Sequence, residues 1–414
     1  MAYWLGVDIG TTFTAAAVWR DSQVEVATLG TRAPVVPTLV FVRPGGEVLV
    51  GEAAERRAMG EPGGVAREFK RRVGDSEPIV LADAPHSPED LMARVLRWVV
   101  GQVTEREGGP PAGVTVSYPA SWGRHKRELL DRTVRLADVG VRARDLHTVT
   151  EPEAAAIFYA SQERVAVGAR ILVYDLGGGT FDAAVLRKMG DGWVVLGAPQ
   201  GVEHLGGVDV DEAVLRHVAA SVGDGMTDLD PDDRATVVAM ARLRRDCVEA
   251  KEALSSDTDV VIQVLLPGVQ AVVRLTRAEL EDMIRPTLAT SIGALERAVR
   301  SAGLEPAQLD VVLLAGGSSR IPLVAQMVGS ELRRPVAVDA HPEHGVALGA
   351  AILAARTTAR ATAPPRRVLA PALALAQAQA RARARAGGVG GVRAGCRPGP
   401  APRAAHCTIT GVRS

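Results

Sequence analysis

The chain has 414 residues, 47% of them hydrophobic and 23% charged, with 48 basic against 48 acidic side chains. That is ordinary for a soluble globular protein, and at about 100–200 residues per domain it allows two to four domains with cores of their own. Ten of the basic residues, all arginine, fall in 357–414, which holds no acid; the rest carries 38 basic against 48 acidic residues, a balance that argues against a nucleic-acid-binding face on the folded body.

Three cysteines, Cys247, Cys396 and Cys407, are too few and too scattered for a disulfide framework or a zinc site. The N-terminal "MAYWLGVDIG" lacks the basic and long apolar regions of a signal peptide, and no apolar run approaches the roughly 18 residues of a membrane span. A cytoplasmic protein without a membrane span is expected. Aromatics make up only 3% of the chain, so its core must be built from Val, Leu, Ile and Ala.

The first predicted element is an apolar strand, "YWLGVDIG", ending near Asp8; after Gly10, Thr11 and Thr12 a second strand follows in "FTAAAVWR". "SPEDLMARVLRWVVGQV" (87–103) opens with a Ser cap, a Pro and two acids, a strong helix start. Further helices are read at 120–139 and 151–162. "RILVYDLGGG" then repeats the opening pattern, an apolar strand ending near Asp175, and "TFDAAVLR" follows its glycines. Neither segment after the glycines has helical apolar spacing, which favours strand–turn–strand over strand–turn–helix in both copies. Amphipathic helices are read at 230–256 and 277–303, a buried strand at 310–317 and an Ala-rich helix at 344–356. Strands alternating with helices, and a long-period repeat, imply duplicated α/β layers. Residues 357–414 are rich in Ala, Arg, Gly and Pro with few large apolar side chains, and they are expected to be disordered.

Three consecutive glycines weaken a strand or helix, so Gly177, Gly178 and Gly179 need another reason to be there. Successive N–H groups in such a turn can converge on an anion, and Thr180 adds a hydroxyl; Gly10, Thr11 and Thr12 offer the same from the first copy. An acid beside each turn makes sense if Mg²⁺, which keeps several waters and takes one or two carboxylates, sits between Asp8, Asp175 and a polyphosphate. Tight turns alone would explain either copy, but the pair favours phosphate. No Walker loop and no dinucleotide-binding G-x-G-x-x-G occurs. In "LLAGGSSRIPLV", Gly316 and Gly317 would let a flat base or ribose lie on the backbone, with Ser318 and Arg320 reaching over it.

The runs "DIGTTFT", "EPEAAAI", "DLGGGTFD" and "AGGSSRIP", in this order, resemble the DnaK-type (70-kDa heat-shock) chaperone family within the actin-like ATPase superfamily, over residues 3–356. The resemblance implies two actin-like lobes, residues 1–165 and 166–356, around a cleft that binds ATP or ADP with Mg²⁺ and hydrolyses ATP. It implies a catalytic role for Lys70, Glu151, Asp175 and Thr180, and places Asp8, Glu151 and Asp175 about the metal. Phe13, Gly207, Lys251, Ser255 and Glu343 fall on further nucleotide-cleft positions. J-domain co-chaperones and exchange factors are the partners it suggests.

Departures from the family pattern put adenine affinity in question: the adenine-side Glu and Arg fall on Val248 and Glu252, and Glu343 stands for an Asp. Nothing in 357–414 resembles the family's peptide-binding sandwich or lid, so an ATP-driven switch without a recognisable peptide-binding domain is expected. The alternatives are an ATP-binding module without useful turnover, an actin-like filament former and a small-molecule kinase of the same superfamily.

Overall fold

The computed structural model describes residues 2–362, apart from positions 32, 44, 59, 191, 227, 228, 232 and 340. It begins with an antiparallel meander, β1 (Trp4–Ile9), β2 (Phe13–Arg20) and β3 (Gln23–Ala27), to which β4 (Val36–Pro37) adds a short pairing on β2. A small layer follows: β5 (Val40–Val42), β6 (Val48–Val50), α1 (Glu52–Ala58), β7 (Val65–Ala66) and the hairpin β8 (Ile79–Leu81) and β9 (Ala84–His86). Helix α2 (Pro88–Glu107) starts where its cap predicts, with Asp90 N–H donating to Ser87 Oγ at 3.1 Å. Next come β10 (Gly113–Tyr118), α3 (Arg124–Leu136), β11 (Leu146–Thr150) and α4 (Glu151–Gln162).

The second half repeats the plan. Its meander is β12 (Arg170–Leu176), β13 (Phe181–Lys188) and β14 (Trp193–Val202). Then come α5 (Gly207–Val222), α6 (Arg234–Ala253), the ribbon β15 (Asp259–Leu266) and β16 (Val269–Thr276), and α7 (Arg277–Ser301). The half closes with β17 (Val311–Ala315), α8 (Pro322–Leu332), β18 (Val336–Val338) and α9 (Gly345–Thr362). The sheets read β3-β2-β1-β10-β11 and β14-β13-β12-β17-β18, each an antiparallel meander extended by two parallel strands. This is the duplicated, actin-like α/β architecture expected from the repeat, and both glycine turns join antiparallel strands, as their spacing predicts.

Several helix boundaries differ from the sequence reading by a few residues: α2 runs on to Glu107, and α3, α6 and α7 stop short at Leu136, Ala253 and Ser301. Helix α3 begins at Arg124, not 120, because residues 119–122 turn back on themselves (Trp122 N–H to Pro119 O, 3.1 Å) and Ser121 is drawn to Asp182. Helix α6 begins after Asp233, whose carboxylate accepts from Thr236 N–H at 2.9 Å and so caps it later than 230. Helix α9 runs past Arg356 to Thr362. The rest of the predicted tail lies outside the described residues.

Each sheet has its own apolar cluster, and a third lies between them. Ala154, Ala155, Ile157 and Phe158 of α4 and Val346, Ala347, Ala350, Ala351 and Ile352 of α9 pack there with Ala15 and Ala17 of β2 and Ile171 and Val173 of β12. Small side chains let α9 settle close to β1, β2, β10 and α4. A Cβ on Gly6 would overlap the Ala347 carbonyl, and one on Gly349 the Ala154 carbonyl. The scarcity of aromatics thus goes with a close-packed alanine layer that joins the two halves.

Candidate functional site

The β1–β2 and β12–β13 turns are closed by the same bond. Gly10 N–H donates to Phe13 O at 2.9 Å, and Gly177 N–H donates to Thr180 O at 3.0 Å. They meet across one cavity of about 450 Å³. A Cβ on Gly178 would strike the Thr12 side chain and one on Gly179 the Thr11 side chain, so bare backbone is what lets the turns face each other. Asp8, at the end of β1, accepts from Ser117 Oγ at 2.7 Å, and Asp175 occupies the matching place in β12.

Acceptors on the second turn are already occupied. The Gly177 carbonyl accepts from Gly207 N–H (3.0 Å) and Ser318 Oγ (2.9 Å), and the Gly178 carbonyl from Val208 N–H (2.8 Å). The Gly179 carbonyl accepts from Arg71 Nε (2.9 Å) and Nη2 (2.7 Å). Carbonyl dipoles that would repel an anion are thereby paired, while the N–H groups of a glycine turn suit one.

Between the turns lies an ion pair: Lys70 Nζ, on the 3₁₀ turn Phe69–Arg72, stands 2.7 Å from Glu151 Oε1 at the start of α4. Both residues are under a tenth exposed. Burial works to lower the Lys70 pKa, but the charges of Glu151, Asp8 and Asp175 outweigh it and hold the ammonium above its ordinary value. Burial also pushes the Glu151 carboxyl up, against the pull of Lys70. Asp175 is driven well above the usual carboxylate range by burial, then by the charges of Glu151, Asp182 and Asp8.

Lys251 of α6, Ser255 in the turn that follows it, and Gly316, Gly317, Ser318 and Arg320 after β17 line the opposite end of the same cavity, with Glu343 before α9. Gly316 takes φ +80°, with its Cα turned so that only glycine fits against Asp175 and Leu176. Lys251 pairs with Asp211 at 2.8 Å, and Arg320 with Glu343 at 3.3 Å. Val248 and Glu252, the two departures on α6, also face in. Every residue singled out from the sequence for this site, Phe13, Thr180 and Gly207 included, borders this one space.

Sequence reasoning missed Asp211, the Lys251 partner that lines the cavity, and two residues outside its lining. Asp182, the last residue of "GGGTFD", is buried in β13: Oδ1 accepts from Ser121 N–H at 2.8 Å, and Oδ2 is buried without a hydrogen-bond partner. Burial and then Glu151 push its carboxyl up to about 7. Its place among apolar neighbours in a strand gives it the look of a structural acid. Arg71 reads as one more basic residue in "EFKRRVGD".

The donor set fits a hydrated divalent cation. Asp8, Glu151, Asp175 and Asp182 outnumber Lys70, and burial raises the carboxyls of Glu151, Asp175 and Asp182. Among the described residues no three His, Cys, Asp or Glu groups converge tightly enough to chelate an ion directly. An ion that keeps its water shell suits carboxylates spaced in this way.

No helix among the described residues is long and apolar enough to cross a membrane. A family model described as Hsp70 protein matches residues 4–94 and 80–363. The Chaperone protein DnaK of Thermus thermophilus is 32% identical over 384 aligned residues, covering 86% of this chain and 61% of the relative. That of Thermosipho melanesiensis is 31% identical over 361, covering 85% and 59%. Heat shock 70 kDa protein BIP3 of Oryza sativa subsp. japonica is 32% identical over 386, covering 84% and 56%. The chain thus spans about three fifths of the length of these curated relatives. With the family model matching nearly all of the described residues, the chain belongs to the Hsp70 family.

Proposed function

We propose that this chain binds ATP with Mg²⁺ in the cavity between its two sheets, hydrolyses it to ADP and phosphate, and uses closure of the two halves around nucleotide as a conformational switch in protein folding. One observation carries the reading: two glycine turns closed by the same hydrogen bond face each other beside a buried Lys70–Glu151 pair. Gly10 to Phe13 and Gly177 to Thr180 would cradle the phosphates from opposite sides. Gly316, Gly317, Ser318 and Arg320, with Lys251, Ser255 and Glu343, would hold the nucleoside.

Lys70 does the chemical work available to this chain's own residues. An ammonium held protonated beside the terminal phosphate stabilises charge developing on its oxygens and helps orient the attacking water. Glu151 fixes that ammonium in place, and Asp8 and Asp175 would hold the waters of the metal. The Mg²⁺ ion, when bound, would neutralise phosphate charge and so lessen repulsion of the nucleophile. Nucleotide, J-domain co-chaperones and exchange factors are the proposed partners.

A second reading, a module that holds ATP without useful turnover, is favoured by the closeness of the Lys70–Glu151 pair and by Glu252 at the nucleoside end. Turnover of ATP by the full chain separates the two. Slow, Mg²⁺-dependent release of phosphate is expected, falling at least about 100-fold in Lys70→Ala and in Asp175→Ala. Tight ATP binding with no turnover would establish the second reading, and turnover untouched by Lys70→Ala would remove Lys70 from the mechanism.

A further inference from the structure

We propose that Arg71 is a positioning residue: it clasps the second glycine turn to the Lys70 turn and sets how long the cleft retains nucleotide. The retention part rests on the nucleotide reading above; the clasp itself does not. Arg71 does not line the cavity, so it must act through what it holds. Its side chain is only 11% exposed and joins three segments. Nε and Nη2 donate to the Gly179 carbonyl at 2.9 and 2.7 Å, and Nη2 also reaches Asp209 Oδ2 in the first turn of α5. Asp209 in turn accepts from Gly206 N–H at 2.8 Å, and Glu68 Oε2 lies 3.6 Å from Nη1.

The chemistry needs an arginine. A planar fork of fixed donors can serve one carbonyl twice and a carboxylate at once, whereas an ammonium presents a single point of charge. Because the peptide unit is planar and trans, fixing the Gly179 carbonyl also fixes the direction of the Thr180 N–H. One side chain therefore orients a donor of the turn that faces Thr11 and Thr12.

The clasp also links two positions that would otherwise vary independently. Lys70 and Arg71 are neighbours on one 3₁₀ turn; Lys70 is held by Glu151 at α4, and Arg71 by Gly179 and Asp209 in the other half of the molecule. Drawing the second turn away from the first must break the Arg71 bonds together. Opening, and with it release of bound nucleotide, should be slow for that reason, while the hydrolytic groups stay where Glu151 puts them.

Two measurements on the full chain test this. In stopped-flow displacement of N-methylanthraniloyl-ADP with Mg²⁺, Arg71→Ala should speed dissociation at least about tenfold, the scale of losing a charge-assisted bond. Arg71→Lys should recover only part of that, and Arg71→Ala with Asp209→Asn should be no faster than Arg71→Ala, because both act on one contact. The hydrolysis step in a single turnover should change far less than dissociation. Dissociation within twofold of the unmodified chain would overturn the retention role. In hydrogen exchange without nucleotide, amides at 177–180 and 206–209 should exchange faster in Arg71→Ala. Unchanged exchange there would overturn the clasp. If the unmodified chain fails to bind the labelled ADP, the nucleotide reading falls while exchange still decides the clasp. If Arg71→Ala does not fold, Arg71→Lys and Asp209→Asn carry both measurements.

Discussion

Asp8, Glu151, Asp175 and Asp182 share the electrostatic surroundings of a single ammonium, Lys70. Asp182 is the sharpest case: 1% exposed, one oxygen bonded to the Ser121 N–H and the other buried without a partner, with a carboxyl pushed up to about 7. An unfolded aspartate titrates near 4. Between those two values the folded protein holds a proton that the unfolded chain has released, so stability falls as pH rises through this window and the deficit is complete above about 7. Asparagine keeps the acceptor for Ser121 and removes the charge. In buffer free of Mg²⁺ and nucleotide, Asp182→Asn should therefore melt above the unmodified chain at pH 8 and lose that advantage towards pH 4. Melting curves that stay parallel across this range would show that Asp182 carries no such charge penalty. The same variant should gain less from Mg·ADP, because part of the negative charge that favours the cation is gone.

Elements were legible in proportion to how local their causes are. The β1–β2 and β12–β13 turns could be read because Gly10 and Gly177 each follow an apolar strand and precede a segment without helical spacing; α2 could be read because Ser87, Pro88, Glu89 and Asp90 spell its cap. Arg71 and Asp182 could not be read as site residues, since nothing in "FKRR" or "TFDAAV" signals a partner far away in the chain. The family resemblance implies that the final Ala-rich helix returns to pack on the first half, as α9 does, but its tight contact with α4 was hidden: Gly349 sits in an Ala-rich helix where one more small residue attracts no notice. Two helical glycines now make a paired prediction. Gly349→Ala drives a methyl into the Ala154 carbonyl, and overpacking of this kind destabilises by about 1–3 kcal/mol. Gly101→Ala, in α2, adds a methyl where no atom lies within 4 Å, and should stabilise by about 0.5–1 kcal/mol through backbone entropy alone. Urea midpoints should move in opposite directions. A neutral Gly349→Ala would mean that α9 can slide away from α4 without loss.

At the scale of the whole molecule, α4 and α9 decide whether the two halves stand or fall together. The cluster they form draws residues from both sheets, among them Ala15 and Ala17 of β2, Ile171 and Val173 of β12 and Leu313 of β17. Neither half could unfold alone without exposing that shared layer, and the roughly 25 cal/mol per Å² lost with it makes partial unfolding unfavourable. The described part of the chain should accordingly melt in one cooperative transition. Nucleotide would bind the folded molecule on both sides of the same boundary, through Gly10 to Thr12 from one half and Gly177 to Thr180 from the other. A ligand held this way stabilises by mass action, about 2.7 kcal/mol when present at 100 times its dissociation constant. Scanning calorimetry should show one peak, moved upward by Mg·ADP, and moved less by ADP with a chelator or by Mg·ADP in Asp175→Ala. Two peaks of which only one responds would assign the nucleotide to a single half and break the link between binding and closure. One peak indifferent to every nucleotide would leave the α4–α9 layer as the bond between the halves and remove the cavity as a nucleotide site.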